Sequence, residues 1–322
     1  MIVVSHHTPK YYSTYHFTLR FTLRFTPRFT PRLHSVLRTN MPRAKTSKIV
    51  SPGPSATTGN TRVLANIMRL FANTVQDGNI HFQGDGIRIS GMDQSHVCLI
   101  RSHMSSDTLT YTPPETEVTV GVSFAILSKI LSACSNSQST TIRPSPDTGK
   151  LELFVMTDKG ENHFVVSPMD IEEDELGVPE MDYEVSRTFD TASLKDATDQ
   201  AEKLGAEVLN ITRTRMNEIR LLYKTDLTEG NITVCEGSEK ESYESNTVSI
   251  ATSYLKGFLG SGPFGPNVCI GYDNCDIPMC VKCPLMKSSG EVSDHDFVEI
   301  HIAPRVNDDE DDDDVLENVR EY

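Results

Sequence analysis

Residues 168–183 read PMDIEEDELGVPEMDY. The stretch is acidic, holds no Lys or Arg, and is punctuated by Ile171, Leu176, Val178 and Pro179. Carboxylates at this density are poor core material, because a buried charge needs a partner that nothing here supplies. The composition suits an exposed tether with an apolar docking edge. The stretch lies at mid-chain, and the sequence reads alike on its two sides.

On the N-terminal side, TRVLANIMRLFANTVQ (61–76) places Val63, Ile67, Leu70, Phe71 and Val75 at i, i+4, i+7, i+8 and i+12, which predicts an amphipathic helix. Asp77-Gly78 ends it. Short strands are expected at 79–83, 86–91, 96–102, 108–112 and 117–122. A second helix starts at Ser123, a suitable N-cap, with Phe124, Leu127, Leu131 and Cys134 on one face. Strands at 139–143, 150–157 and 162–167 close the half. On the C-terminal side, strand 184–190 leads to helix 191–204, with Leu194, Ala197, Ala201 and Leu204 on one face and Gly205 just past its end. Strands follow at 206–212, 216–223, 231–236 and 247–251. Helix 252–260 and strands 267–273, 277–283 and 297–303 complete the pattern. Each half is helix, strands, helix, strands, so the predicted fold class is α+β, a duplicated unit with helices on one face of antiparallel sheet. The expected domains are 61–167 and 184–306, joined by the connector 168–183 and followed by an acidic tail, 307–322, that contains DDEDDDD.

The first 60 residues differ from the rest. Residues 17–32 repeat a tetrad, FTLR-FTLR-FTPR-FTPR, whose prolines forbid a helix. Residues 1–61 carry nine basic and no acidic side chains, leaving 21 Lys and Arg against 45 Asp and Glu in residues 62–322. The composition predicts a disordered basic extension over 1–60. It reads as an organelle transit peptide, as a basic arm for DNA, or as a segment outside the mature chain; Met41, which opens MPRAKTSKIV, favours the last. The acidic body repels DNA on average, so DNA binding has to come from a local basic surface.

Hydrophobic content of 37% is enough for packed cores. No run reaches the ~20 apolar residues of a membrane helix, and no membrane partner is expected. Seven scattered Cys make no disulfide framework and point to a reducing compartment. Cys275, Cys280 and Cys283 include a C-x2-C, but on a strand residues 280 and 283 face opposite sides, whereas zinc ligands must converge. No metal or cofactor is therefore expected. Asp93, Ser95 and His96 are triad residue types too close in sequence to act as a triad. With no HExxH, P-loop or G-x-S-x-G motif either, no catalytic residue and no enzyme is expected. The helices offer basic positions instead. Arg62, Asn66, Arg69 and Asn73 make one polar face of helix 61–76, Lys129 lies off the core face of the second helix, Lys195 and Lys203 lie on the third among Asp196, Asp199 and Glu202, and Lys256 lies on the fourth. A surface that holds phosphates loosely needs few such groups per subunit if subunits repeat.

Several blocks in one order resemble the proliferating cell nuclear antigen family of eukaryotic-type DNA sliding clamps. They are GMDQSHVCLI (91–100), LSKILSAC (127–134), ELGVPEMDY (175–183), GNITV (230–234), SYLKGF (253–258), DIPMCVKC (276–283) and IHIAPRVND (300–308). The resemblance spans residues 61–306. It implies a closed ring, normally a homotrimer, with sheets outside and helices lining a hole that takes duplex DNA. On that basis Arg62, Arg69, Lys129, Lys195, Lys203 and Lys256 are the DNA-facing candidates. A partner pocket beneath the connector would comprise Met92, His96, Val97, Leu176, Val178, Pro179, Pro278, Ala303, Pro304 and Arg305. Strand 150–157 is expected to meet strand 216–223 of the next copy, through Leu151, Leu153, Phe154, Ile219, Leu221 and Tyr223. The implied partners are DNA polymerase and other proteins with a short clamp-interacting motif, an ATP-dependent clamp loader, and further copies of the chain. The implied place is the nucleus, or a viral replication compartment. His301 stands where an aromatic is usual, and the family's regulatory lysine falls near Met216. A subunit of a heterotrimeric checkpoint clamp is the alternative, and a zinc-dependent hydrolase a distant second.

Overall fold

A computed structural model describes residues 53–134, 136–172, 181–235, 244–262, 264–273, 277–287 and 289–305. Four helices, α1 (Thr61–Thr74), α2 (Phe124–Ala133), α3 (Thr191–Lys203) and α4 (Thr252–Gly260), pack against three antiparallel sheets.

The first sheet contains β1 (Ser55–Thr58), β5 (Thr110–Thr112), β7 (Ser139–Pro144), β8 (Leu151–Thr157) and β9 (Gly160–Val166), in the order β5-β1-β7-β8-β9. The second runs β10-β15-β16-β17-β4-β3-β2-β6. Its members are β2 (Asp77–Phe82), β3 (Gly86–Met92), β4 (Cys98–Ser105), β6 (Val118–Ser123), β10 (Val185–Asp190), β15 (Asn267–Tyr272), β16 (Met279–Met286) and β17 (Val292–Ile302). The third contains β11 (Val208–Arg213), β12 (Ile219–Lys224), β13 (Glu229–Cys235) and β14 (Asn246–Ala251), in the order β13-β12-β11-β14.

The halves repeat each other strand for strand. In the first, β1-β7-β8-β9 and β4-β3-β2-β6 are two four-strand sets. In the second, β10-β15-β16-β17 and β13-β12-β11-β14 follow the same order. The middle sheet arises where β17 of the second half pairs with β4 of the first, from Phe297↔His103 to Ile302↔Cys98. The equivalents of β17 and β4 are β9 and β13. Both are sheet edges.

Helix faces follow the apolar spacing, with adjustments. In α1, Leu64, Ala65, Ile67, Met68, Leu70 and Phe71 are buried, and Asn60 caps the start by accepting from Val63 N at 3.3 Å. Asn66, expected on the polar face, is buried too. Gly262, at φ 132°, passes so close that a Cβ there would meet the Asn66 amide at 2.4 Å, so the turn after α4 covers it. In α2, Phe124, Leu127 and Leu131 are buried, while Ser123 holds the cap position without a side-chain bond. In α3, Leu194, Ala197 and Ala201 are buried, but Leu204 is the C-cap and is exposed, because the chain turns away at Gly205 (φ 89°).

Two expectations are corrected. The stretch assigned to a disordered extension ends too late, since Ser55–Thr58 is a strand paired with both β5 and β7. Its sequence, SATT, carries almost no apolar signal; the two neighbouring strands supply its order. The edge strands were also misassigned. β8 lies between β7 and β9, and β12 lies between β11 and β13. Leu151, Leu153, Ile219, Leu221 and Tyr223 are buried in the subunit's own core. Phe154 stacks on His163 with Arg143 over its ring. None of the six stands at a free edge.

Candidate functional site

The helices that were expected to carry basic groups do carry them, but their charges are not equally available. Arg62, Lys129 and Lys203 are exposed, with no acidic partner among the described residues. Lys195 pairs with Asp199 one turn on, and Lys256 of α4 reaches Glu202 of α3. Arg69 donates to Ser261 O at 3.0 Å, tying α1 to the end of α4 across the two halves. A cavity of ≈ 940 Å³ between helices is lined by Asn73 of α1, Glu202 of α3 and Lys256 and Gly257 of α4, so faces of three helices meet one space. Asp196 is exposed on α3.

The connector is described at both ends, and each end rests on the middle sheet. At its start, Met169 N donates to Gly121 O at 2.9 Å and bridges the edge of β6. A Cβ at Gly121 would lie 2.3 Å from Met169 O, so glycine permits the approach. Asn79 Nδ2 then donates to Ile171 O at 3.4 Å. Beneath this segment lies a cavity of ≈ 420 Å³ lined by residues that include Ile171, Glu172, Met92, His96, His81 and Glu117. At the connector's far end, the Tyr183 ring lies against Gly271, where a Cβ would be 2.6 Å from it.

The expected pocket residues are divided. Met92 and His96 line the cavity beneath Ile171, whereas Val97, Ala303 and Arg305 line the larger cavity beside α4. Ala303 N donates to Val97 O at 2.8 Å across the join between halves, and Arg305 N to Ser249 O at 2.8 Å within the second half, which together fix the last described residues. Pro278 and Pro304 are half-buried and line neither cavity. Leu176, Val178 and Pro179 lie outside the described residues.

One residue escaped sequence reading as part of this site. Asp93 accepts from Val97 N at 2.8 Å, Cys98 N at 2.7 Å, Tyr254 OH at 2.8 Å and Ser95 Oγ. Burial alone would push its carboxyl up, but these hydrogen bonds together hold it below the usual carboxylate range. Asp93 therefore fixes the loop that presents His96, which sits at φ 57°, and links it to α4 of the other half. The sequence marked Asp93 only as a residue type found in triads, and only the tertiary contact with Tyr254 shows what the carboxylate holds.

Two like halves fused through one sheet, with helices on the inner side and matching edges left over, define a DNA-clamp fold. The family model described as proliferating cell nuclear antigen, N-terminal domain, matches residues 55–176. Proliferating cell nuclear antigen of Chaetomium thermophilum is 22% identical over 259 residues, covering 77% of this chain and 96% of that protein. Proliferating cell nuclear antigen 2 of Drosophila melanogaster is 24% identical over 263 residues, with 77% and 96% covered. Among solved structures, that of the antigen from Entamoeba histolytica superposes with a TM-score of 0.69 at 20% identity, over 79% of this chain and 100% of that one. Together these likenesses support a sliding clamp of the proliferating cell nuclear antigen type.

Proposed function

We propose that this clamp closes into a homotrimeric ring around duplex DNA and tethers DNA polymerase and other motif-bearing partners to it, without chemistry of its own. The observation that carries the ring is the pair of equivalent edges. Since β17 pairs with β4 inside the chain, the same geometry used between chains would bring β9 of one copy against β13 of the next. Such a contact is head-to-tail, the kind that forms a ring when the rotation from copy to copy closes. It would also cover two unpaired strand edges. The interface residues are then those of Gly160–Val166 and Glu229–Cys235, in place of β8 and β12.

The lining reading follows from topology. An encircling ring persists on DNA without tight binding, so Arg62, Lys129 and Lys203 need supply only a weak, screened attraction, with Arg69, Lys195 and Lys256 secondary because they are already engaged. Partners dock along the connector over Met92, His96 and Ile171, and the apolar Leu176, Val178 and Pro179 of the same acidic stretch are the further anchor contacts proposed from sequence. An anchor side chain buried there gains roughly 1.5–3 kcal/mol. A nuclear setting and an ATP-dependent loader belong to the same reading.

The test is topological. The full chain is loaded on nicked circular DNA and then passed through a sizing column. Retention on the circle, with release when a single cut linearises it, is expected. Equal retention on both forms would mean ordinary binding rather than encirclement. Sedimentation separates the assembly classes: a trimer of one chain agrees with the proposal, and a lone monomer would favour a subunit of a mixed ring.

A further inference from the structure

Strand β16 sends alternate side chains to opposite faces. Met279, Val281, Cys283 and Leu285 join the main core, whereas Cys280 points to the other side, beneath Tyr183. There it stands opposite His301 on β17. Glu299 lies two residues back along β17 and so shares the face with His301. All three side chains are buried, and one donor atom from each lies within 4.8 Å of the other two. His301 Nε2 lies 3.3 Å from Glu299 Oε1, while His301 Nδ1 is buried with no hydrogen-bond partner. Cys283 is turned away, with its Sγ donating to Asn267 O at 3.2 Å. Cys280 and Cys283 thus face opposite sides, as the strand spacing predicts, and the C-x2-C itself is no ligand pair. Its second cysteine faces the core, and the companions of its first come from the neighbouring strand.

We propose that Cys280, Glu299 and His301 bind a single zinc ion on the connector side of the middle sheet. Thiolate, imidazole and carboxylate are zinc's protein donors, and a sulfur and a nitrogen ligand select it over magnesium or calcium. Donors of a tetrahedral zinc stand roughly 3.3–3.8 Å apart, so closing from 4.8 Å takes side-chain rotation only. Two cations flank the site. Arg101 Nε is 3.4 Å from Glu299 Oε1 and Lys282 Nζ is 3.6 Å from Oε2. Both contacts are long, and both cations are partly solvent-exposed, so a carboxylate oxygen is left with capacity to turn toward an ion. Binding forms a zinc–sulfur bond at Cys280 and breaks its S–H bond, releasing the proton to solvent. Burial and the Glu299 charge push the free thiol up to about 12, and the ion's charge offsets both effects. Three protein ligands leave a fourth position for water or for the phenol of Tyr183, which roofs the site. The site lies two residues along β16 from Pro278 and two along β17 from Ala303, so an ion there would stiffen the floor beneath the connector. It does not depend on ring closure.

The test uses the full chain, stripped of metal with a chelator, and two probes. Calorimetric titration with zinc is expected to give one ion per chain. Cobalt(II) is expected to give an intense tetrahedral spectrum with a thiolate-to-metal band. Cys280→Val should abolish that band and lower zinc affinity by more than about a hundredfold, and His301→Phe should lower it by at least about tenfold. Absence of saturable zinc binding at micromolar metal would overturn the proposal. So would a thiolate band of equal strength in Cys280→Val, since the metal would then sit on another cysteine. The wild-type cobalt spectrum decides by itself if a variant fails to fold: no thiolate band, no site.

Discussion

Asp93 does at one position what a hinge pin does between two plates. Four donors converge on its carboxylate, and one of them comes from the other half of the chain. Its pKa is shifted downward, so its stabilising effect is fully present above the ordinary carboxylate range and is lost as pH falls through its own lower value. Asp93→Asn is expected to cost about 1–3 kcal/mol at pH 7. The gap to wild type should narrow in acid, where wild type loses the same charge. Denaturant midpoints at pH 7 and below pH 3 check this; a gap of equal size at both would remove Asp93 from that role. Leu153, wholly buried in β8, makes a different kind of contribution. Leu153→Ala is expected to lose about 2–5 kcal/mol of stability through the cavity it leaves.

At the scale of elements, the proposed association rests on the free edges β9 and β13. Val165 is 51% exposed on β9, so Val165→Glu should leave the melting temperature of the isolated chain nearly unchanged. Sedimentation should show it as a monomer where wild type is a trimer. A trimer unaffected by that substitution would move the interface elsewhere. Much of the element order was legible because apolar residues recur with period 3.6 or 2, as in Phe124, Leu127 and Leu131. The edges were not. Leu151, Leu153 and Leu221 drew attention because they are apolar, yet strands rich in such residues are the covered ones. An edge reads as β9 does, GENHFVV, mostly polar and exposed. β1 was invisible for a related reason, since SATT has nothing to bury until β5 and β7 flank it. The metal-ligating set was half visible: Cys280 was singled out, but no spacing rule pairs it with His301, because that depends on the register of two strands.

At the scale of the whole molecule, the helix face proposed to meet DNA carries charge that is only partly spent. Replacing Arg62, Lys129 and Lys203 together with Ala should lower loading and processivity, by a margin that shrinks as salt rises, because salt already screens the charges that are removed. Replacing Lys195 and Lys256 should do less, because each already faces a carboxylate. Primer extension by the tethered polymerase at two salt concentrations separates these outcomes. Equal losses in the two variants would mean that the ion pairs open on DNA. The connector, read first as an acidic strap, is anchored at Met169 and at Tyr183 over two glycines, Gly121 and Gly271, that leave room for it.

The β17·β4 ladder has one more consequence. It makes each subunit an arc without an internal joint: an antiparallel ladder of six residue pairs bridges its midpoint, and Arg69 and Asp93 brace it from the helix side. An assembly of such arcs yields under load where one molecule ends and the next begins. In the proposed ring, a machine that pries it open would therefore find its weak seams at β9 and β13, and the break would be clean, costing no subunit its fold.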